Sequence, residues 1–458
     1  MASLKSCHDY SMKDPYIISK DTIKEPPTTL FDRFKFLGPG FILSASIVGS
    51  GELIATTILG AKAGFIALWI IIFSCLAKVT VQLEFGKHAV LTGERCMQAF
   101  SQIWGPKRWA VWTLLVLIGL KIIQLGGMLG GTVVILYMLF PSVPITVWIV
   151  VTAASVGLLI YNGKYGIIEK FSLFMIAMFT LLTLASLFSL QVTEYAFSWL
   201  SVFEQQRINL PSAIVPYAIG AFGITGVASD EIIAYNYWCL EKGYAAYTGP
   251  RDNSEAWKRR ADGWIKVMFL DAIVAMIIYT SVTVAFYLLG AAVLHQRGEI
   301  PHGNEVIETL ALIYTTSLGP GIKTAYLVGG FFVLYSSLFA TLGAWTRIFP
   351  DIFGELGWFK FNDLTKRKKV IAWLSWVFPA CWAVAYFFIN LPVLMVLFGG
   401  LIGSFMLFIV MMGAIHFKYG REQLLPSGSV YTIAFFVSVI SIFVVGIYGI
   451  VEVISGIQ

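Results

Sequence analysis

Residues 48–55 read Val48-Gly49-Ser50-Gly51-Glu52-Leu53-Ile54-Ala55, and residues 227–234 read Val227-Ala228-Ser229-Asp230-Glu231-Ile232-Ile233-Ala234. Aligned without gaps, five of the eight positions are identical, namely Val, Ser, Glu, Ile and Ala. Each octet sits inside a long apolar stretch, where neither glycine nor an acid comes free. Glycine in mid-helix costs about 1 kcal/mol relative to alanine, and a carboxylate at mid-membrane costs about 2.5–3.5 kcal/mol on insertion scales. Close packing of helices explains glycines alone. It does not ask for acids at two matching depths.

The surroundings of the octets are those of a membrane protein. Of 458 residues, 58% are hydrophobic and 13% charged, against about 45–50% and about 25% in ordinary soluble domains. At roughly 20 apolar residues per crossing, spans are expected near 37–60, 65–90, 108–139, 144–161, 167–190, 211–238, 264–293, 322–345, 370–388, 391–416 and 429–453. That makes eleven, with the octets in the first and sixth. An offset of five spans makes the two segments enter the bilayer in opposite directions, as an inverted-topology repeat requires. Gly38 and Gly40 lead into the first octet; Gly220, Gly223 and Gly226 lead into the second. Freed backbone groups are tolerated at that depth only where protein or a polar cavity satisfies them. The expectation is therefore two broken helices meeting at the midplane. Gly49, Ser50, Gly51, Glu52, Ala228, Ser229, Asp230 and Glu231 would line the substrate site there.

Orientation follows from Lys and Arg. With the N-terminus inside, inner segments hold 26 of the 32 and outer loops hold only Lys62, Arg207, Arg297 and Lys323; Lys78 and Lys121 fall within spans. The positive-inside rule then puts the N-terminus in the cytoplasm, and eleven spans put the C-terminus outside, in a plasma (inner) membrane. Residues 1–36 read as a disordered cytoplasmic tail, polar and broken by Pro15, Pro26 and Pro27, without the apolar core of a cleavable signal peptide. Residues 37–458 form the transmembrane domain. The net charge of +6 resides in topology-setting loops, so nucleic acid is not an expected partner. Cys7, Cys75, Cys96, Cys239 and Cys381 are scattered without disulfide or zinc spacing. With no catalytic triad, P-loop or dinucleotide motif, neither an enzyme nor a cofactor is expected. The partners implied are lipid and a transported cation, with no obligate protein partner.

The stretch from Gly38-Pro39-Gly40-Phe41 to Gly60-Ala61, then Ala63-Gly64-Phe65 and Leu68-Trp69, resembles the first helix of the Nramp (natural resistance-associated macrophage protein) family and its exit. Gln82 with Thr92-Gly93 is similar to the end of the second, and similarity resumes from Asp271 through Leu318-Gly319-Pro320 to Ser336-Ser337. The resemblance implies an all-α membrane protein of LeuT-type fold: a 5+5 inverted repeat with broken first and sixth helices, plus an eleventh helix. It also implies proton-coupled transport of a divalent metal. The departures lie at the site. Where the family has Asp-Pro-Gly-Asn this chain has Gly49, Ser50, Gly51 and Glu52. Ala228, Ser229 and Asp230 stand in the region of the family's Met-Pro-His, and the tenth span lacks the usual Gln. With the resemblance implying a metal site here, loss of the Met thioether leaves oxygen ligands, Glu52, Asp230 and Glu231 as metal ligands with Ser50, Ser229 and unwound carbonyls, suited to Mg²⁺ or Ca²⁺ rather than soft metals. Loss of the His removes the obvious proton carrier. The membrane potential remains as a drive, worth about 4.6 kcal/mol per 100 mV for a divalent ion.

Other polar residues in the spans have plainer readings. Glu84 is expected to pair with Lys87, one turn on, rather than line a vestibule. Lys78 has no partner legible in sequence. Lys121, one turn from Gln124, either serves as counter-ion to an acid or satisfies a carbonyl. Ser336 and Ser337 suit helix packing, with a sodium-type ion site as the sharper alternative. His88, His295, His302 and His416 do not converge. Two rival functions stay open: the same fold carrying a small organic solute or anion on the amides of Gly49-Ser50-Gly51, and a non-transporting membrane sensor.

Overall fold

A computed structural model describes residues 14–49, 51–252, 254–298, 323–419 and 428–455. Cys7, Ser50, His302 and the Leu318-Gly319-Pro320 stretch lie outside the described residues. The helices are α1 (Pro39–Ile47), α2 (Gly51–Ala63), α3 (Leu68–Thr92), α4 (Trp109–Leu139), α5 (Ile145–Ile160), α6 (Tyr165–Val192), α7 (Val215–Ile224) and α8 (Ser229–Lys242). They continue with α9 (Glu255–Arg297), α10 (Lys323–Glu355), α11 (Leu364–Ile389), α12 (Pro392–Tyr419) and α13 (Ser429–Ser455).

Among the described residues, eight helices are long and apolar enough to cross a membrane singly, and the bent pair α1 and α2 makes a ninth. The two remaining expected spans are present as the shorter α5 and as the broken pair α7 and α8. Boundaries shift most where polar residues prolong a helix past the apolar run. Thus α9 begins at Glu255, capped by Ser254 Oγ, which accepts from Trp257 N at 3.1 Å, and α10 continues to Glu355.

Packing shows the repeat. In the first half α1 lies on α6; in the second, α7 lies on α12. The third span, α4, packs on α10, α11 and α12, while its counterpart α10 packs on α4, α5 and α6. Each half thus closes on the other by the same set of contacts, and the broken first and sixth spans are enclosed. The last helix, α13, lies against α3 and keeps most of its surface outward.

The N-terminal segment departs from the expected disorder. From Asp14 onward it is a strap across one face of the bundle. Tyr16 Oη donates to Glu241 Oε1 at 2.7 Å, Thr22 Oγ1 to Ala246 O at 2.8 Å, and Trp264 Nε1 to Lys24 O at 3.0 Å. Asp14 pairs with Arg367 at 2.7 Å. Burial, and then the charge of Glu241, pushes the Tyr16 hydroxyl well above its usual pKa, so it stays a donor. Every anchor comes from residues more than 200 positions away, so the polar composition that suggested disorder could not disclose them.

Candidate functional site

Both octets break their helices. The regular bonds of α1 end with Val48 N donating to Ser44 O at 3.0 Å. The chain resumes at Gly51 in a wide π-turn through Thr56, with the axis turned by 47°. Two glycines allow the break to be pressed between neighbours: a Cβ on Gly49 would overlap Ser337 Oγ of α10, and one on Gly51 would overlap Ile224 Cγ2 at the end of α7. In the sixth span α7 stops at Ile224, residues 225–228 are non-helical, and α8 starts at Ser229.

Glu52 ties the breaks together. It is fully buried; its Oε2 accepts from Gly49 N at 3.4 Å and its Oε1 from Gly226 N at 3.2 Å. One carboxyl group thus receives an amide from each broken span. Glu231 does a more local task. Its Oε2 accepts from Ala228 N at 2.7 Å, which caps the start of α8 as the glutamate of a capping box does. Ala228 has no side-chain oxygen to return the bond.

Asp230, the third expected ligand, turns elsewhere: it forms an ion pair with Lys121 of α4 and accepts from Trp345 Nε1 at 3.3 Å. Among the described residues no three His, Cys, Asp or Glu side chains gather closely enough to hold an ion. In this conformation the expected acids are therefore distributed, with Glu52 on the backbone of both breaks, Glu231 on its own helix and Asp230 on a lysine. Ser229 Oγ is buried without a hydrogen-bond partner, as are Tyr279 Oη and both amide atoms of Gln82. Tyr279 interacts electrostatically with both Glu231 and Glu52.

Lys78 had no partner legible in sequence and Lys121 had two readings, and the fold assigns both. Lys78 of α3 is fully buried and donates to the carbonyls of Phe222 and, at 2.8 Å, Thr225, at the end of α7. Ser74, four residues earlier on the same face, donates to the same two carbonyls at 3.1 Å each. That Ser-x-x-x-Lys spacing inside a span was the available signal. Lys121 takes the counter-ion role. At the first break the equivalent place is filled by Ser337, whose hydroxyl donates to Ser46 O at 2.9 Å, while Ser336 bonds back to Val333 O of its own helix. Glu84 has a partner that was not expected: it pairs at 3.5 Å with Lys418, both buried, and so ties α3 to α12. Of the histidines, His88 stacks on Phe417 with ring centroids 4.1 Å apart, and His295 Nδ1 lies 2.8 Å from Ala61 O.

Comparison with known proteins agrees with this architecture. The divalent metal cation transporter MntH of Caldanaerobacter subterraneus is 25% identical over 293 residues, 62% of this chain and 65% of that protein. The match therefore spans just under two thirds of that relative. The crystallised manganese transporter of Eremococcus coleocola superposes with a TM-score of 0.57 at 14% identity, over 95% of this chain and 99% of that one. MhsT in complex with L-phenylalanine gives 0.58 at 15% identity, over 93% and 100%. At such identities these structures speak for the fold, which is of LeuT type. The model of the natural resistance-associated macrophage protein-like family matches residues 40–455, and the chain belongs to that family, Nramp.

Proposed function

We propose that this protein is a secondary transporter that carries a divalent metal cation across the membrane by alternating access, with Glu52 and Glu231 as its central carboxylates. The observation that carries the reading is Glu52, a buried acid that holds an amide from each of two broken spans. A cation arriving between Glu52 and Glu231 would compete with those amides for the carboxylates. Its binding would therefore be coupled to the relative position of the two breaks, which is what alternating access needs. Asp230, held by Lys121, belongs to the site as a balanced charge. The remaining donors offered by the octets are oxygens, so hard ions, Mg²⁺ foremost, are favoured. Relatives of the family bear names of manganese and divalent metal transporters, which supports the cation class.

The anion reading, which needs the amides of Gly49-Ser50-Gly51, is weakened because the amide of Gly49 already donates to Glu52. The Lys and Arg bias places the N-terminal strap in the cytoplasm and the end of α13 outside, in a plasma membrane. The deciding experiment is uptake into proteoliposomes of Mg²⁺, Ca²⁺ and Mn²⁺ by the wild type. Uptake above empty vesicles is expected for at least one ion, with Mg²⁺ leading; if all three equal empty vesicles, the metal reading is lost.

A further inference from the structure

The ammonium of Lys78 is a charge for which the carrying of metal by Glu52 and Glu231 has no use. Its side chain is fully buried and makes no ion pair among the described residues. It is held instead by oxygen and a ring: the carbonyls of Phe222 and Thr225, and the Phe222 ring with its centroid 4.9 Å from Nζ. Ser74 Oγ reaches the same carbonyls, and Thr225 Oγ1 lies 3.2 Å from Ser74 Oγ. Two carbonyls and two hydroxyls thus converge at the end of half-helix α7, the negative pole of its dipole. Such half-helix C-terminal ends, with unwound carbonyls, are where transporters of this architecture coordinate coupling cations.

Simple capping does not need the charge. At the first break the hydroxyl of Ser337 caps the end of α1 and carries no charge at all. A buried lysine is costly in a span, and a compact ammonium with three donors suits an oxygen cage of this kind. We propose that Lys78 is a tethered cation: its ammonium permanently fills the oxygen cage formed by Phe222, Thr225 and Ser74, the place a coupling alkali ion would take, so that transport proceeds without one. The cage becomes a site for a free alkali ion once the tether is removed.

The test compares the purified full-length wild type with Lys78→Met and Lys78→Gln in LiCl, NaCl, KCl and choline chloride at equal concentration. The wild-type unfolding midpoint should be the same in all four salts. Lys78→Met should unfold earlier in choline and recover by about 2–4 °C in one alkali salt; Lys78→Gln, which keeps a donor, should show a smaller recovery. In proteoliposomes, wild-type Mg²⁺ uptake should be indifferent to replacement of alkali ions by choline, while uptake by Lys78→Met should be about fivefold higher with the stabilising ion. If neither variant gains from any alkali ion, or if the wild type needs one, the proposal is overturned. Should Lys78→Met be recoverable only in an alkali salt, that supports it; recovery in no salt counts against it. The thermal arm involves no transported metal, so its outcome is independent of the cation assigned to Glu52 and Glu231.

Discussion

The break at 48–51 and the break at 225–228 carry nearly the same octet, yet they are held by different means. Around the first, the carbonyls at the end of α1 are capped by a neutral group, the hydroxyl of Ser337, and glycines admit the close approach of Ser337 and Ile224. Around the sixth, charge does the holding: Lys78 sits on the last carbonyls of α7 and Lys121 on Asp230. The glutamates have diverged too, Glu52 reaching across to Gly226 and Glu231 staying on its own helix. The repeat therefore supplies two matching interruptions, and the rest of the bundle makes them unequal. Both lysines come from the first repeat, from α3 and α4, and both act on the second. The sixth break cannot shift without parting from its lysines or carrying them along.

Five substitutions test this asymmetry. The largest effect is expected from Lys121→Met, which strands Asp230 as an unpaired buried charge at a cost of about 3–5 kcal/mol. Thermal unfolding should fall accordingly, and Lys121→Met combined with Asp230→Asn should recover most of it. Recovery no better than the single variant would mean that the pair does not hold the sixth break. Next comes uptake: Glu52→Gln, which gives up charge-assisted bonds to both breaks, should lose about 100-fold. Glu231→Gln, which can still accept from Ala228, should lose about tenfold in the same vesicle assay. A reversed order would erase the distinction drawn between the glutamates.

Gly51→Ala should destabilise by about 1–3 kcal/mol through its overlap with Ile224, and Ile224→Ala should relieve part of that in the double variant. Additivity of the two would show that the breaks are not pressed together there. The smallest change belongs to Ser337→Ala, which removes one buried neutral cap worth about 1 kcal/mol. A far larger loss would show that the first break depends on its cap as strongly as the sixth does on its lysine.

Much of the framework was legible because it follows from local chemistry. Apolar runs of bilayer length located the helices, and an acid beside glycine in two such runs marked both interruptions. The family resemblance rested on those same stretches. Where reading failed, the answer lay across the bundle. Glu84 showed a lysine one turn away in sequence, and the fold added Lys418, 334 positions later. The N-terminal strap looked disordered because its partners, Glu241, Ala246, Trp264 and Arg367, belong to the second half of the chain. Lys78 was unreadable for a related reason: its partners are main-chain carbonyls, which no residue letter records.

What the sequence determined by itself is the set of spans, their inverted repeat and the presence of two mid-membrane interruptions bearing acids. These depend on the cost of putting polar groups into lipid, which each residue carries with it. What only the tertiary structure decided is which charge answers which. Pairing requires donor and acceptor within about 3 Å, and that distance is set by how α3, α4, α8 and α10 pack around the breaks.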